Sequence, residues 1–157
     1  MGEEEEAVAA FVEEAGLFYE RLGLSRTEGR VMGRLLSAPE DDADAPALCE
    51  ALGVAKSSMS VSLRRLEQAG LVERFRRPGG RRDRYRLADD VFQRAFRAKM
   101  AEFDRFRALA ERGLAAVGDD PRRRERLELM RDMYGFMADR FPDLLDEWDR
   151  VKQERGR

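Results

Sequence analysis

The sequence contains no histidine and only one cysteine, Cys49. Without an imidazole the chain has no histidine general base, no Ser–His or Cys–His nucleophile pair and no histidine-ligated zinc. A single cysteine cannot form an internal disulfide, which is typical of a reducing compartment. We expect Cys49 to pack as a small apolar side chain rather than to act as a redox sensor. Because the usual catalytic groups are missing, we expect a protein that is not an enzyme and that carries no cofactor or metal.

Long apolar runs are also missing. No stretch approaches the roughly 18 consecutive apolar residues that a membrane helix needs. The acidic start, with glutamates from Glu3 to Glu6, is opposite in charge to the basic start of a signal peptide. Charged residues make up 39% of the 157 residues, and the mean hydropathy is -0.64, which indicates a large solvated surface. We therefore expect a cytoplasmic protein with no membrane partner.

Positive charge is concentrated in one part of the chain. The whole sequence has a formal net charge of -2, but residues 56–86 contain ten basic and three acidic residues, a net charge of +7. The remainder of the chain therefore carries -9. A basic segment in an otherwise acidic chain is typical of a protein that binds a polyanion such as nucleic acid.

Helical patterns occupy both ends of the chain. Apolar side chains recur at spacings of three and four in residues 3–22, 89–117 and 121–155. We expect Pro142 to interrupt the last of these segments. One apolar stripe there has the alternating spacing of a helix core or of a seam between subunits, and consists of Leu127, Met130, Tyr134, Met137 and Phe141.

A further helix is predicted after the first. Ser25 and Glu28 have the spacing of a capping box, in which each residue satisfies the other's backbone N–H. The helix that they open should end near Pro39, because the residue before a proline avoids helical geometry. Residues 40–43 are expected to form a solvated loop.

Two short helices and a hairpin follow. Asp44 is the expected N-cap of a helix that ends at Gly53. Residues 55–69 form the next helix, and residues 71–75 and 85–87 alternate apolar and polar as strands do. A Pro-Gly-Gly turn joins the strands. This order predicts a winged helix-turn-helix in a mainly α fold with a small β-hairpin wing.

The second helix of this motif has two different faces. The apolar residues at positions 59, 63 and 66 predict the buried face. Short side chains on the other face allow a helix to enter the major groove, where Arg64 can bind guanine or phosphate and Val61 can contact a thymine methyl group. Ser57 and Ser58 lie near the helix N-terminus, which suits a phosphate.

The hairpin places arginines around its Gly-Gly tip. Arg81 or Arg82 is expected to enter an adjacent minor groove, and the sequence leaves open which of them does so. The arginines expected to lie along the strands against phosphate are Arg74, Arg76, Arg84 and Arg86. The alternative is a solvated turn in which Asp83 pairs with an arginine. The predicted DNA-binding residues are Lys56, Ser57, Ser58, Ser60, Val61, Arg64, Arg65, Arg76, Arg77, Arg81, Arg82 and Arg84.

Residues 17–87 resemble the MarR-type winged helix-turn-helix transcriptional regulators. Within that family, the helix at residues 57–66, the Gly-Leu-Val after it and the wing Pro-Gly-Gly-Arg-Arg-Asp-Arg-Tyr are most similar to the GbsR-like branch. The resemblance implies a homodimeric regulator, with a small-molecule effector often relieving DNA binding. One departure is Ala55, because the family usually has a serine there that caps the recognition helix.

The apolar stripes of the outer helices also favour a dimer, because the two short helices and the hairpin, about 45 residues (44–88), cannot cover them alone. We divide the chain into an N-terminal dimerisation helix (1–22), a winged helix-turn-helix domain (23–88) and a C-terminal helical dimerisation region (89–157). A two-fold dimer places two recognition helices about 34–36 Å apart, so it should bind a pseudo-palindromic operator in double-stranded DNA. A repressor is the expected role.

Two other functions fit the same fold. A winged-helix protein-interaction module would use the arginines to bind an acidic protein. A non-specific architectural DNA binder would show little preference for an operator over random DNA, whereas a regulator should prefer its operator by at least ~10³-fold.

Overall fold

The computed structural model describes residues 2–156. They form two compact units, and the first ends at Val91 and the second begins at Phe92. The first unit contains four helices and three short strands, and the second contains two long helices. The elements in chain order are α1 (Glu3–Arg21), α2 (Arg26–Ser37), β1 (Asp42–Asp44), α3 (Ala45–Leu52), α4 (Lys56–Gln68), β2 (Val72–Phe75), β3 (Arg84–Leu87), α5 (Val91–Val117) and α6 (Pro121–Glu154). The predicted fold class, mainly helical with a small β wing, is confirmed. No helix within residues 2–156 combines the length and apolar character that crossing a bilayer requires.

Helix α1 packs along α2 in the first unit, so the expected dimerisation helix is also part of this unit. The two backbones approach closely at glycines. A Cβ atom added at Gly33 would lie 2.7 Å from the Ala15 Cβ atom and 3.2 Å from the Val12 Cα atom. The close approach buries Val12 and Ala15 of α1 against α2.

We expect Gly33→Ala to lower the free energy of unfolding by up to about 2 kcal/mol. Alanine favours a helix over glycine by about 1 kcal/mol, but overpacking costs about 1–3 kcal/mol where the neighbouring atoms cannot move away. The control is Gly135→Ala in α6, where the nearest atom is Cδ of the flexible Arg107 side chain at 3.3 Å. Thermal unfolding should show a lower melting temperature for Gly33→Ala and an unchanged or higher one for Gly135→Ala. A gain in melting temperature at Gly33 would contradict this account of the packing.

The two predicted N-caps are confirmed. Ser25 Oγ accepts a hydrogen bond from the Glu28 N–H at 3.1 Å, and Glu28 Oε2 accepts one from the Ser25 N–H at 2.8 Å. Asp44 Oδ1 accepts a hydrogen bond from the Ala47 N–H at 2.9 Å and caps α3. Gly53 ends α3 with φ +61°, a left-handed conformation that glycine adopts without steric cost.

The core of the first unit lies under α4. Met59, Leu63 and Leu66 are fully buried, as predicted, and pack with Met32 of α2 and Leu48 of α3. Cys49 is half-buried against this core. The spacing of these apolar residues fixes the rotation of α4, and it therefore fixes which side chains face solvent.

The strands form a three-stranded antiparallel sheet in the order β1-β3-β2. In this sheet Ala43 pairs with Tyr85, and Arg74 pairs with Tyr85 from the other side. The prediction of a solvated loop at residues 40–43 is wrong for the last two residues, because Asp42 and Ala43 belong to β1. Aspartate is depleted in strands, so the sequence pattern gave no signal for β1. The pairing depends on β3, which lies about 40 residues further along the chain.

Within the second unit, aromatic rings join α5 to α6. The rings of Phe106 and Tyr134 stack with centroids 4.4 Å apart, and those of Phe103 and Phe141 lie 5.4 Å apart. The predicted stripe on α6 therefore includes residues that face α5. The expected interruption at Pro142 is wrong, because α6 continues through this residue to Glu154. Contacts with α5 on both sides of the proline offset the hydrogen bond that it removes.

Polar side chains connect the start of α5 to the C-terminal part of α6. Gln93 is buried near the start of α5, and its Nε2 donates a hydrogen bond to Asp149 Oδ1 at 2.8 Å. Lys152 Nζ donates to Gln93 Oε1 at 2.7 Å. The hydrogen bonds from Gln93 and Lys152 hold the pKa of Asp149 below its usual range.

Candidate nucleic-acid interface

The outer face of α4 is polar and open to solvent. Val61, near its centre, is 47% exposed, and Ser62 on the inner face is buried. The structure places every residue predicted on this helix at the surface: Lys56, Ser57, Ser58, Ser60, Val61, Arg64 and Arg65. The helix thus presents the side chains that the sequence assigned to the major groove on one side, and the core residues on the other.

The N-terminus of α4 has free hydrogen-bond donors. Ala55 is the N-cap residue and provides no side-chain acceptor. The first N–H groups of a helix have no partner within it, and together with the helix dipole they bind anions well. Ser57 and Ser58 add hydroxyl groups beside them, so this end of α4 suits a phosphate.

Arg64 and Arg65 lie in different surroundings. Arg65 Nη1 is 3.7 Å from Glu28 Oε1, and the Glu28 carboxylate is buried in α2. Arg64 forms no ion pair with any residue of the described chain and is exposed. Arg64 is therefore free to bind a base or a phosphate, whereas Arg65 is partly neutralised and held toward α2.

The wing is the hairpin of β2 and β3 with the turn at residues 76–83. Gly79 adopts φ +75°, and the Gly80 N–H donates to the Arg77 carbonyl oxygen at 2.8 Å. Arg76 Nε donates to Asp83 Oδ1 at 2.6 Å, and this hydrogen bond holds the pKa of Asp83 below its usual range. The pairing of Asp83 with an arginine, which the sequence left as an alternative, is present.

Strand β1 supplies two carboxylates to the wing, a feature that the sequence did not predict. Asp42 accepts hydrogen bonds from Arg77 Nη2 at 3.0 Å and from Arg84 Nε. Asp44 Oδ2 accepts one from Arg82 Nη1 at 3.2 Å. Burial opposes ionisation of Asp42, but the two arginines outweigh it and lower its pKa. The pKa of Asp44 is lowered first by the Ala47 N–H and then by Arg82.

These pairs separate the wing arginines into two groups. Arg76, Arg77, Arg82 and Arg84 each have a carboxylate partner. Arg81 at the tip is exposed and has no ion-pair partner among residues 2–156. Of the two candidates for the minor groove, Arg81 is the one that no carboxylate restrains.

A second apolar stripe on α6 is exposed, and the sequence pattern did not distinguish it from the stripe that faces α5. Leu129 is 70% exposed and Phe136 is 62% exposed. The members of this exposed stripe are Leu129, Met133, Phe136, Leu144 and Trp148. Their spacing of four, three, eight and four was visible in the sequence, but the neighbouring stripe that faces α5 has the same periodicity.

No group of three or more cysteine or acidic residues in the part of the chain that the structure describes is arranged to hold a metal ion. The polar groups that converge at the surface are arginines, one lysine and serine hydroxyls. Such groups bind phosphate oxygens and base edges.

Comparison with known proteins agrees with this geometry. Residues 22–83 match a model of the MarR family, and residues 90–153 match one for MmpR5-like MarR family transcriptional regulators. The HTH-type transcriptional regulator MmpR5 of Mycobacterium tuberculosis (strain ATCC 25618 / H37Rv) is 32% identical over 142 residues, which cover 90% of this chain and 86% of that protein. A crystal structure of a transcriptional regulator is 32% identical with a TM-score of 0.72, covering 92% of this chain and 99% of the other. The chain belongs to the MarR family of winged-helix transcriptional regulators.

Proposed function

We propose that the protein is a homodimeric repressor that binds a pseudo-palindromic operator and is released from it by a small-molecule effector. The observation that carries this proposal is the outer face of α4, where Arg64 is unpaired beside short serine side chains. A major groove about 12 Å wide accepts a helix with such a face. Arg81 extends the same basic surface from the wing toward the adjacent minor groove.

The contacts divide into two kinds. Arg64 and Val61 supply base contacts, which give sequence preference. The N-terminus of α4 and the basic side chains Lys56 and Arg65 supply phosphate contacts, which fix position but carry no sequence information. Arg81 adds a contact that depends on groove width.

The exposed stripe on α6 supports the homodimer. Large apolar side chains at Leu129, Met133 and Phe136 lie on one helix face, and a monomer would leave them in water. A two-fold interface places the same patch of each subunit against its copy. A pseudo-palindromic operator requires two recognition helices, which a two-fold dimer provides.

Repression and its relief need no chemical step. A dimer that occupies an operator at a promoter excludes polymerase from that DNA. An effector that binds better to a dimer with a different spacing of recognition helices shifts the equilibrium away from the operator. Membership of the GbsR-like branch stays a prediction, since it depends only on the resemblance of α4 and the wing.

The experiment that tests this function is selection of bound fragments from a random-sequence duplex library with the purified full-length protein. We expect a two-fold-related consensus with half-sites about 10 base pairs apart. Binding of the selected duplex should exceed that of random duplex by at least ~10³-fold. Affinity should fall by about 10³–10⁵ between 50 and 200 mM salt if the dimer contacts about 6–10 phosphates.

The selection also separates the competing functions. An architectural DNA binder would bind duplex with the same steep salt dependence but would enrich no consensus. A protein-interaction module would bind no duplex at all. Either result would overturn the proposal.

A further inference from the structure

Five charged residues join β1 to the wing, and we call this set the β1–wing clasp: Asp42, Asp44, Arg77, Arg82 and Arg84. We propose that Asp42 is a positioning residue that fixes β3 through Arg84 and competes with DNA phosphate for Arg77. It thereby limits the sequence-independent contribution of the wing to DNA binding. The inference rests on the proposed function, because it concerns how the wing meets DNA.

The ion pair of Asp42 with Arg84 stays in place when DNA binds. Arg84 Nε donates to Asp42 Oδ1, and Arg84 Nη2 donates to the Asp42 carbonyl oxygen at 3.2 Å. The side chains are only 10% exposed for Asp42 and 21% exposed for Arg84. In the sheet register Asp44 lies opposite Arg84, so Asp42 is its diagonal neighbour on the same face. Moving Arg84 away would leave this buried carboxylate with only the exposed Arg77 as a partner, so Arg84 does not exchange to DNA.

The Asp42–Arg77 half of the clasp can exchange. Arg77 Nη2 lies 3.0 Å from both carboxylate oxygens of Asp42, but the Arg77 side chain is 56% exposed. A carboxylate and a phosphate present a guanidinium with the same kind of acceptor. Ion pairs with a solvent-exposed partner are weak, and a nearby phosphate can replace the carboxylate. Asp42 therefore acts as an internal competitor of the DNA backbone for Arg77.

The position of the clasp explains why the competition matters. Arg77 and Arg82 flank the wing tip, where they would otherwise add two phosphate contacts per subunit. Phosphate contacts strengthen binding to every sequence equally. By holding Arg77, Asp42 keeps affinity for random DNA low while it leaves the tip residue Arg81 free.

The test compares two variants that remove the same charge from adjacent residues. Asp42→Asn removes the competitor, and Asp41→Asn removes the exposed neighbouring charge, which has no ion pair within residues 2–156. Binding of each full-length protein to a 30-base-pair mixed-sequence duplex is measured by fluorescence anisotropy across a range of NaCl concentrations. We expect Asp42→Asn to raise affinity at least about fivefold and to steepen the salt slope by about 1–2, since each added phosphate contact contributes about 0.9. Asp41→Asn should leave the salt slope unchanged.

Removing Arg77 tests whether the gain acts through this side chain. In the Asp42→Asn protein, Arg77→Ala should return both the affinity and the salt slope to the values of Arg77→Ala alone. A merely structural role of Asp42 would lower the melting temperature but would not produce this dependence on Arg77. If Asp42→Asn and Asp41→Asn behave alike, or if the gain persists without Arg77, the proposal is overturned.

Two further variants keep the test decisive if Asp42→Asn fails to fold. Arg77→Ala and Arg81→Ala alter only exposed side chains, and each should melt at the wild-type temperature. We expect Arg77→Ala to reduce the salt slope by less than half of the reduction caused by Arg81→Ala, and equal reductions would overturn the proposal. A wild-type protein that binds no duplex would contradict the proposed function itself, which is a different outcome from binding without the effect of Asp42.

Discussion

Arg64→Ala is expected to lower affinity for the selected operator by about 5–150-fold for each half-site that loses its contact. A bidentate arginine–guanine contact discriminates against the wrong base by about 1–3 kcal/mol, and 1.4 kcal/mol is tenfold in affinity. Arg64 is exposed on the outer face of α4, and no carboxylate competes for it in the described chain. Affinity for random duplex should fall much less, because there the side chain makes at most one phosphate contact.

The control for this prediction is Arg65→Ala, which removes the same side chain from the next position. Arg65 Nη1 lies 3.7 Å from the buried Glu28 carboxylate, which holds this side chain toward α2, so we expect it at most to contact a phosphate. Its removal should weaken operator and random duplex equally. The two variants are compared by anisotropy titration with both duplexes at one salt concentration. A uniform loss with Arg64→Ala, or no loss, would contradict the assignment of Arg64 to a base.

Phe136→Glu is expected to convert the proposed dimer into monomers and to weaken operator binding by at least about 100-fold. Phe136 is 62% exposed on α6, so a glutamate there costs a monomer little. In a two-fold interface it would replace two aromatic contacts with two carboxylates that repel each other across the axis. A monomer binds a single half-site and loses the high effective concentration that linking two sites provides.

Sedimentation or light scattering measures the subunit state, and anisotropy measures the affinity. Gln153→Glu is the control, because it adds the same charge at an exposed residue of α6 outside the exposed stripe. This control should remain dimeric and should bind the operator normally. If Phe136→Glu remains dimeric with unchanged affinity, the exposed stripe on α6 is not the dimer interface.

Local signals in the sequence predicted the first unit well. The capping box of Ser25 and Glu28, the N-cap Asp44 and the turn at Gly53 each involve residues within four positions of one another, so a single sequence contains them in full. The buried face of α4 follows from the helical period for the same reason. These signals placed α4 in the correct rotation, and with it the candidate DNA-binding face.

Features that depend on distant residues could not be predicted. Strand β1 forms because β3 pairs with it, and its aspartates have no strand preference of their own. For the same reason the clasp of Asp42 with Arg77 and Arg84 could not be predicted, and Asp83 was the one carboxylate that the sequence suggested as a partner for a wing arginine. Pro142 was expected to interrupt its helix because proline has a low helix propensity. Packing against α5 outweighs this low propensity, and α6 continues through Pro142.

Because Ala55 provides no side-chain cap, the stability of the first turn of α4 depends on what binds there. A serine there would stabilise the first turn of the recognition helix by about 0.5–2 kcal/mol at all times. With alanine, those N–H groups gain a strong acceptor only when an anion docks against them. In the proposed complex the duplex therefore completes the first turn of α4, and part of that helix's stability exists only while the protein is bound to its operator.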